Sequence, residues 1–195
     1  SVTPAQNAMG SYTQLLTGGN VAKDVFGVLI NINSNNVSAA GRDTLVTVGV
    51  DPAGGSSYTD TIVNLLGSCA GASTFGGIWY YFPLWIKSGS SIAAKASVNN
   101  VTVGTLRVYA RVFGQPTNPE ETRVGTYVDT LGATTASSSG TAVTSGTTSE
   151  GSWTTLQTTT AKRYWHWQLG MGCNDTTMAA LVYGADLGVG DGSNK

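Results

Sequence analysis

Apolar residues in the first 114 positions alternate with a period of two, a pattern that fits strands and leaves no stretch with convincing helical periodicity. Over residues 25–32, Phe26, Val28, Ile30 and Ile32 share one face, with Gly27, Leu29 and Asn31 on the other. Val46, Val48 and Val50 point together in 44–50. Ile92, Ala94, Ala96 and Val98 alternate with Ser91, Ala93, Lys95 and Ser97. Leu106, Val108, Ala110 and Val112 alternate with Thr105, Arg107, Tyr109, Arg111 and Phe113. Each reads as a strand with one buried face. Further strands are expected at 12–16, 59–66 and 79–86, making about seven, the number of a sandwich or jelly roll. Turn chemistry separates them: Asn33-Ser34-Asn35-Asn36, Asp51-Pro52-Ala53-Gly54-Gly55, Lys87-Ser88-Gly89 and Asn99-Asn100. The expected class is all-β.

Composition agrees with that class. Charged residues are 11% of the 195, and 26 are glycine, which suits short strands and many turns. A hydrophobic fraction of 41% is enough for a packed core. The net charge of −1 points neither to nucleic acid nor to an anionic membrane. No transmembrane span or signal peptide is read, and a start at Ser1 fits loss of an initiator methionine from a cytoplasmically made protein. Cys69 and Cys173 read as two free, buried thiols.

The pattern breaks after Phe113-Gly114 at Gln115-Pro116-Thr117-Asn118-Pro119-Glu120-Glu121, a boundary signal. Residues 1–114 are therefore expected to form one sandwich module. Residues 115–150 read as a connector, first Pro-rich and then Ser/Thr/Gly-rich, with a strand at 124–131. Residues 151–195 read as the start of a second, related module. Gly10-Ser11-Tyr12-Thr13-Gln14-Leu15 reappears as Gly151-Ser152-Trp153-Thr154-Thr155-Leu156. Val46-Thr47-Val48-Gly49-Val50-Asp51 has its counterpart in Ala185-Asp186-Leu187-Gly188-Val189-Gly190. Between these anchors each copy carries an apolar strand, at 25–32 and at 164–173. The second copy lacks closing strands, so the polypeptide is expected to continue for roughly another 60–100 residues, or to receive strands from a neighbour.

The residues do not spell out a catalytic centre, and no cofactor, metal or catalytic residue is expected. His166, the single histidine, sits within Tyr164-Trp165-His166-Trp167-Gln168 with no second ligand at metal spacing. No Gly-x-Ser-x-Gly context supports a serine nucleophile, and neither phosphate-binding glycine pattern occurs. The segment Asp186 to Asn194 is only superficially like a calcium loop. Asn36-Val37-Ser38, Asn100-Val101-Thr102 and Asn174-Asp175-Thr176 match the glycosylation pattern as accidents of a Ser/Thr-rich chain.

The strand Trp79-Tyr80-Tyr81-Phe82-Pro83-Leu84-Trp85-Ile86 is more informative. With Tyr80, Phe82, Leu84 and Ile86 assigned to the core, Trp79, Tyr81 and Trp85 face outward. Arg107, Tyr109 and Arg111, with Phe113, have the same interface-like makeup on the outer face of the last strand. Two readings stand: a protein contact, or cover by the chain's own loops such as 71–77. Pro83 marks an edge or a bulge.

Several segments together resemble small structural proteins of tailed bacteriophages. The pattern is a G-S-[YW]-T-x-[LI] opening, then Asp24-Val25-Phe26-Gly27, then Gly41-Arg42-Asp43-Thr44-Leu45-Val46-Thr47-Val48-Gly49-Val50. An apolar Tyr80-Tyr81-Phe82-Pro83 strand leads through a turn into Ile92-Ala93-Ala94-Lys95; here Ser88 stands for the family's Pro and Lys95 for its Arg. The resemblance covers 10–114 well and 122–195 in part. It implies a virion component, either a capsid decoration protein or a tail- or fibre-associated module, made in the host cytoplasm. Its implied partners are other virion proteins, in a homo-oligomer with a trimer favoured. It carries no catalytic residues. The alternative is a receptor- or carbohydrate-binding module, with Trp79, Trp85, Trp165 and Trp167 stacking on sugars.

Overall fold

The computed structural model describes residues 1–34, 42–69, 77–99, 105–114, 123–133, 140–146, 149–170 and 185–190. The chain divides into two compact units, Ser1–Thr141 and Ala142–Lys195. All the described strands lie in the first: β1 (Ala5–Gln6), β2 (Thr13–Leu16), β3 (Gly27–Ser34), β4 (Arg42–Asp51), β5 (Thr59–Cys69), β6 (Ile78–Phe82), β7 (Ser91–Val98) and β8 (Leu106–Phe113). A single 3-10 turn at Gly18–Asn20 is the one helical element among the described residues.

The strands form two sheets. In the larger, β4 lies between β5 and β7, and the far edge of β7 takes β1 in parallel and β2 antiparallel. The smaller has the order β6-β3-β8, antiparallel throughout. Their inner faces supply one core. Val28, Ile30 and Ile32 of β3, Phe82 of β6, and Leu106 and Val108 of β8 belong to it, as do Val46, Val48 and Val50 of β4, Ile62 and Leu65 of β5, and Ile92, Ala94 and Ala96 of β7. Each buried large aliphatic side chain contributes about 1.5–3 kcal/mol relative to exposure. The all-β, sandwich-like class read from the alternation is the one observed.

Several local expectations need correction. β4 and β7 were expected to bury one face each, yet Leu45, Thr47, Ser91, Ala93 and Ser97 are buried on the opposite face. The N-terminal segment, together with Leu66 and Ala133, covers it. Tyr12 lies flat enough on Gly49 that a β-carbon there would stand 2.6 Å from the ring, while Met9, Leu66 and Ala133 close over Leu45. At the start of β3 it is Val25 that is buried, with Phe26 only half-buried. The pairing explains why: Val28 faces Phe82, but Val25 bridges Ile86, so one chain uses four steps where the other uses three. Pro83, which has no N–H to give, sits in that irregularity at the sheet edge.

Residues 123–133, read as part of a connector, belong to the first unit. The strand expected at 124–131 is instead two isolated parallel bridges. Gly125 bonds Pro83 O and Trp85 N at 2.9 Å each, and Val128 bonds Thr61 O and Val63 N at 2.9 and 3.0 Å. One short segment thus occupies the outer edges of the β6 chain and of β5. Across the sandwich, Val2 exchanges two 2.8 Å bonds with Leu106 of β8 before the chain pairs β1 with β7. Each segment ties one sheet to the other, which limits exposed edges without strand closure.

In the second unit no strand forms among the described residues, so residues 164–170 of the strand expected at 164–173 are irregular. Residues 171–173, including Cys173, lie outside the described residues, as do 71–76 of the covering loop and Asp191 to Asn194 of the calcium-like segment. One contact nevertheless recurs. A β-carbon at Gly188 would stand 3.1 Å from the Trp153 ring, so Trp153 lies on Gly188 as Tyr12 lies on Gly49. These are the two anchor pairs of the sequence repeat.

Candidate functional site: the outer face of the three-stranded sheet

Register places the outward residues of β6, β3 and β8 in rows. Trp79, Asn31 and Tyr109 form one row, and Tyr81, Leu29 and Arg111 the next; Gly27 pairs with Phe113 and Asn33 with Arg107. Two strands that flank a third stand about 9.5 Å apart, yet the Trp79 and Tyr109 rings are 5.7 Å apart, edge to face. The rings lean together over Asn31, which is why that outward residue is only 1% exposed. Likewise Tyr81 leans over Gly27 to meet Phe113 at 5.8 Å, edge to face; a β-carbon at Gly27 would stand 3.1 Å from the Tyr81 ring. Arg111 lies over the Trp79 ring at 5.1 Å.

The short outward side chains of β3 are therefore roofed by aromatics from both neighbours. The roof itself stays open: Trp79, Tyr81, Tyr109 and Phe113 are 42–47% exposed, and Arg107 and Arg111 are exposed beside them. Trp85, also expected here, is 39% exposed, but it sits past the Pro83 irregularity. Its indole Nε1 donates to Asp24 at 3.4 Å. The same carboxylate accepts from Ser88 N at 2.8 Å, and that backbone hydrogen bond, more than the indole, holds the Asp24 carboxyl below its usual range. Trp85 thus belongs to a turn clip, whereas Trp79, Tyr81, Arg107, Tyr109 and Arg111 share one sheet face.

Beneath the roof the polar balance is incomplete. Asn31 Nδ2 donates to Ile78 O at a long 3.4 Å, while Asn31 Oδ1 and Asn33 Oδ1 are buried without a hydrogen-bond partner. Sequence periodicity placed Asn31 on the solvent side and gave no sign that neighbouring rings would bury it.

A second cluster, which sequence reasoning missed, lies on the outer face of the larger sheet. Lys95 Nζ bonds both Asp60 carboxylate oxygens at 2.8 and 3.0 Å and lies 4.7 Å from the Tyr12 ring centre. The Tyr12 hydroxyl donates to Asp60, and Tyr58 packs on Tyr12 at 5.0 Å. Burial, then the hydrogen bond to Asp60 and its charge, push the Tyr12 phenol far above its ordinary value. Burial works against the Asp60 charge, but the Lys95 and Tyr12 hydrogen bonds prevail and hold its carboxyl low. Tyr12 and Asp60 thus keep their neutral-pH protonation states over a wide range, and the group acts as a clip from β5 across β4 to β7. Its parts are far apart in sequence, so no spacing motif could have shown it.

Among the described residues there is no group of three His, Cys, Asp or Glu side chains arranged to hold a metal ion. His166 packs on Trp165 at 5.5 Å. No helix among the described residues is long and apolar enough to cross a membrane. Neither family models, curated proteins nor solved structures yield a match to this chain.

Proposed function

We propose that this protein is a structural component of a bacteriophage particle, acting through protein–protein contacts made by the outer face of the three-stranded sheet. The observation that carries the contact reading is the roof of Trp79, Tyr81, Tyr109 and Phe113, with Arg107 and Arg111 set among the rings. Aromatic residues and arginine are the types enriched at the energetic centres of protein interfaces. The rings are already fixed by edge-to-face contacts, so a partner would order little on binding. The particle setting rests on the resemblance of the strand and turn motifs over 10–114. The recurrence of the aromatic-on-glycine contact at Trp153 and Gly188 supports the accompanying idea of a repeated module.

The test is to locate the protein on intact particles by electron microscopy and to measure rebinding of purified protein to particles stripped of it. Trp79→Ala and Tyr109→Ala should weaken rebinding by ~10- to 100-fold, the range of interface hot spots. Rebinding unchanged by both would remove the face from the contact. A particle that lacks the protein altogether would remove the setting.

A second reading, a glycan- or receptor-binding module, is favoured by the exposed Trp153, Trp165 and Trp167 of the second unit. Such rings can stack on sugar faces. Glycan-array binding lost on Trp165→Ala and Trp167→Ala, with particle assembly intact, would select it.

A further inference from the structure

β8 is an outer strand, and its pairing with β3 runs through eight residues without a register shift. Leu106 turns its N–H and C=O to Val2, away from β3, while Phe113 turns its C=O inward to Phe26 N at 2.7 Å. Alternation along an antiparallel ladder then fixes the rest. Arg107, Tyr109 and Arg111 bond toward β3, whereas Val108, Ala110 and Val112 turn their N–H and C=O groups outward. Among the described residues nothing bonds these outward groups. Of the devices that blunt a strand edge, β8 has no proline and no bulge, and its two charges, Arg107 and Arg111, stand on the outer face and not toward the core.

We propose that this edge pairs antiparallel with the same edge of a second copy, about a two-fold axis at Ala110. The strand Arg107-Val108-Tyr109-Ala110-Arg111-Val112-Phe113 is complementary to its own reverse. With the axis at Ala110, Val108 faces the partner's Val112 and Ala110 faces the partner's Ala110, both as hydrogen-bonded pairs. On the outer face Tyr109 stands opposite the partner's Arg111, with Arg107 and the partner's Phe113 flanking the end. The three paired positions exchange about six backbone hydrogen bonds.

The neighbouring symmetric registers are worse. An axis at Tyr109 sets Arg107 against the partner's Arg111, and an axis at Arg111 sets that residue against the partner's Arg111. Like charges directly opposite destabilise a strand pair. Val2 already occupies Leu106, which confines the pairing to 108–112. The product is a continuous six-stranded sheet whose outer face carries two copies of the aromatic roof. The pairing does not rest on the particle setting, and it is measured on purified protein alone.

Sedimentation of the 195-residue chain across micromolar to submillimolar concentration tests it. The expected result is a reversible shift from the 20.1 kDa of one chain to twice that mass. Ala110→Pro, which removes an outward N–H and blocks the edge, should weaken association ~10-fold or more while keeping the β-sheet circular dichroism. Register is read separately by crosslinking in a background without Cys69 and Cys173. Chains carrying Tyr109→Cys mixed with chains carrying Arg111→Cys should form a disulfide on oxidation, because non-hydrogen-bonded partners stand about 4.5 Å apart at Cα. Neither variant should crosslink alone. A single-chain mass at every concentration, or a dimer that forms equally well with Ala110→Pro and gives no mixed disulfide, overturns the proposal.

Discussion

Three loops meet at one end of the sandwich on three glycines, and substituting each by alanine separates two physical costs. Gly89 has a φ of +80°, but a β-carbon there meets nothing within 4 Å. Gly89→Ala therefore adds left-handed strain of about 1–2 kcal/mol, partly offset by ~0.4–1 kcal/mol from restricting the unfolded chain. The net loss is about 1 kcal/mol. Gly18 has no positive φ, yet its β-carbon would drive into the carbonyl oxygen of Gly89. Overpacking against backbone costs about 1–3 kcal/mol. Gly54 combines both: its φ is +76°, and its β-carbon would stand 2.5 Å from the same oxygen. Gly54→Ala should accordingly lose about 2–4 kcal/mol. Urea unfolding followed by far-ultraviolet circular dichroism reports on this unit, because all the described strands lie in it. With a urea slope of about 2 kcal/mol per molar, Gly54→Ala lowers the midpoint by ~1–2 M and Gly89→Ala by ~0.5 M. If Gly54→Ala proves no more destabilising than Gly89→Ala, the close approach of the three loops is not what these glycines serve.

The Asp60 cluster predicts pH dependence at both ends. Asp60 is held below its unfolded value, so its contribution is present above that value and is lost as pH falls through the folded one. Asp60→Asn should therefore be less stable than wild type at neutral pH, with the gap closing in acid; a gap that persists there would contradict the assignment. Tyr12 is raised above its ordinary 10.0, so its contribution is complete below about pH 10 and declines as pH rises further. Tyr12→Phe should remove that alkaline decline in denaturant midpoints. In the core, Leu84 is fully buried, and Leu84→Ala should cost about 2–5 kcal/mol in equilibrium unfolding. Under the aromatic roof, Asn31 Oδ1 has no partner, so Asn31→Val should shift stability by less than ~1 kcal/mol in either direction. A loss of several kcal/mol would show that Asn31 makes bonds beyond that to Ile78.

Alternation alone was enough to place β3, β4, β7 and β8 and to choose the inward face of β8 and of the aromatic strand. Side-chain direction reverses at every residue of a strand, so apolar and polar positions declare the two faces without knowledge of any neighbour. That logic also put Trp79, Tyr81, Arg107, Tyr109 and Arg111 outward. It could not say that β4 and β7 are buried twice over, because Tyr12, Met9 and Ala133 come from distant segments. Nor could it find the bridges at Gly125 and Val128, which involve single residues without any period.

The outer face shows the same division. Which side chains point away from the core is already legible in the residue order, since local stereochemistry alternates them. That Trp79 and Tyr109 converge over Asn31 follows from strand pairing, because register brings one residue from each of three strands into a row. The amide edge at Val108, Ala110 and Val112 is likewise a tertiary matter. Every residue carries the same backbone groups, and only the order β6-β3-β8 determines which of them are left outside.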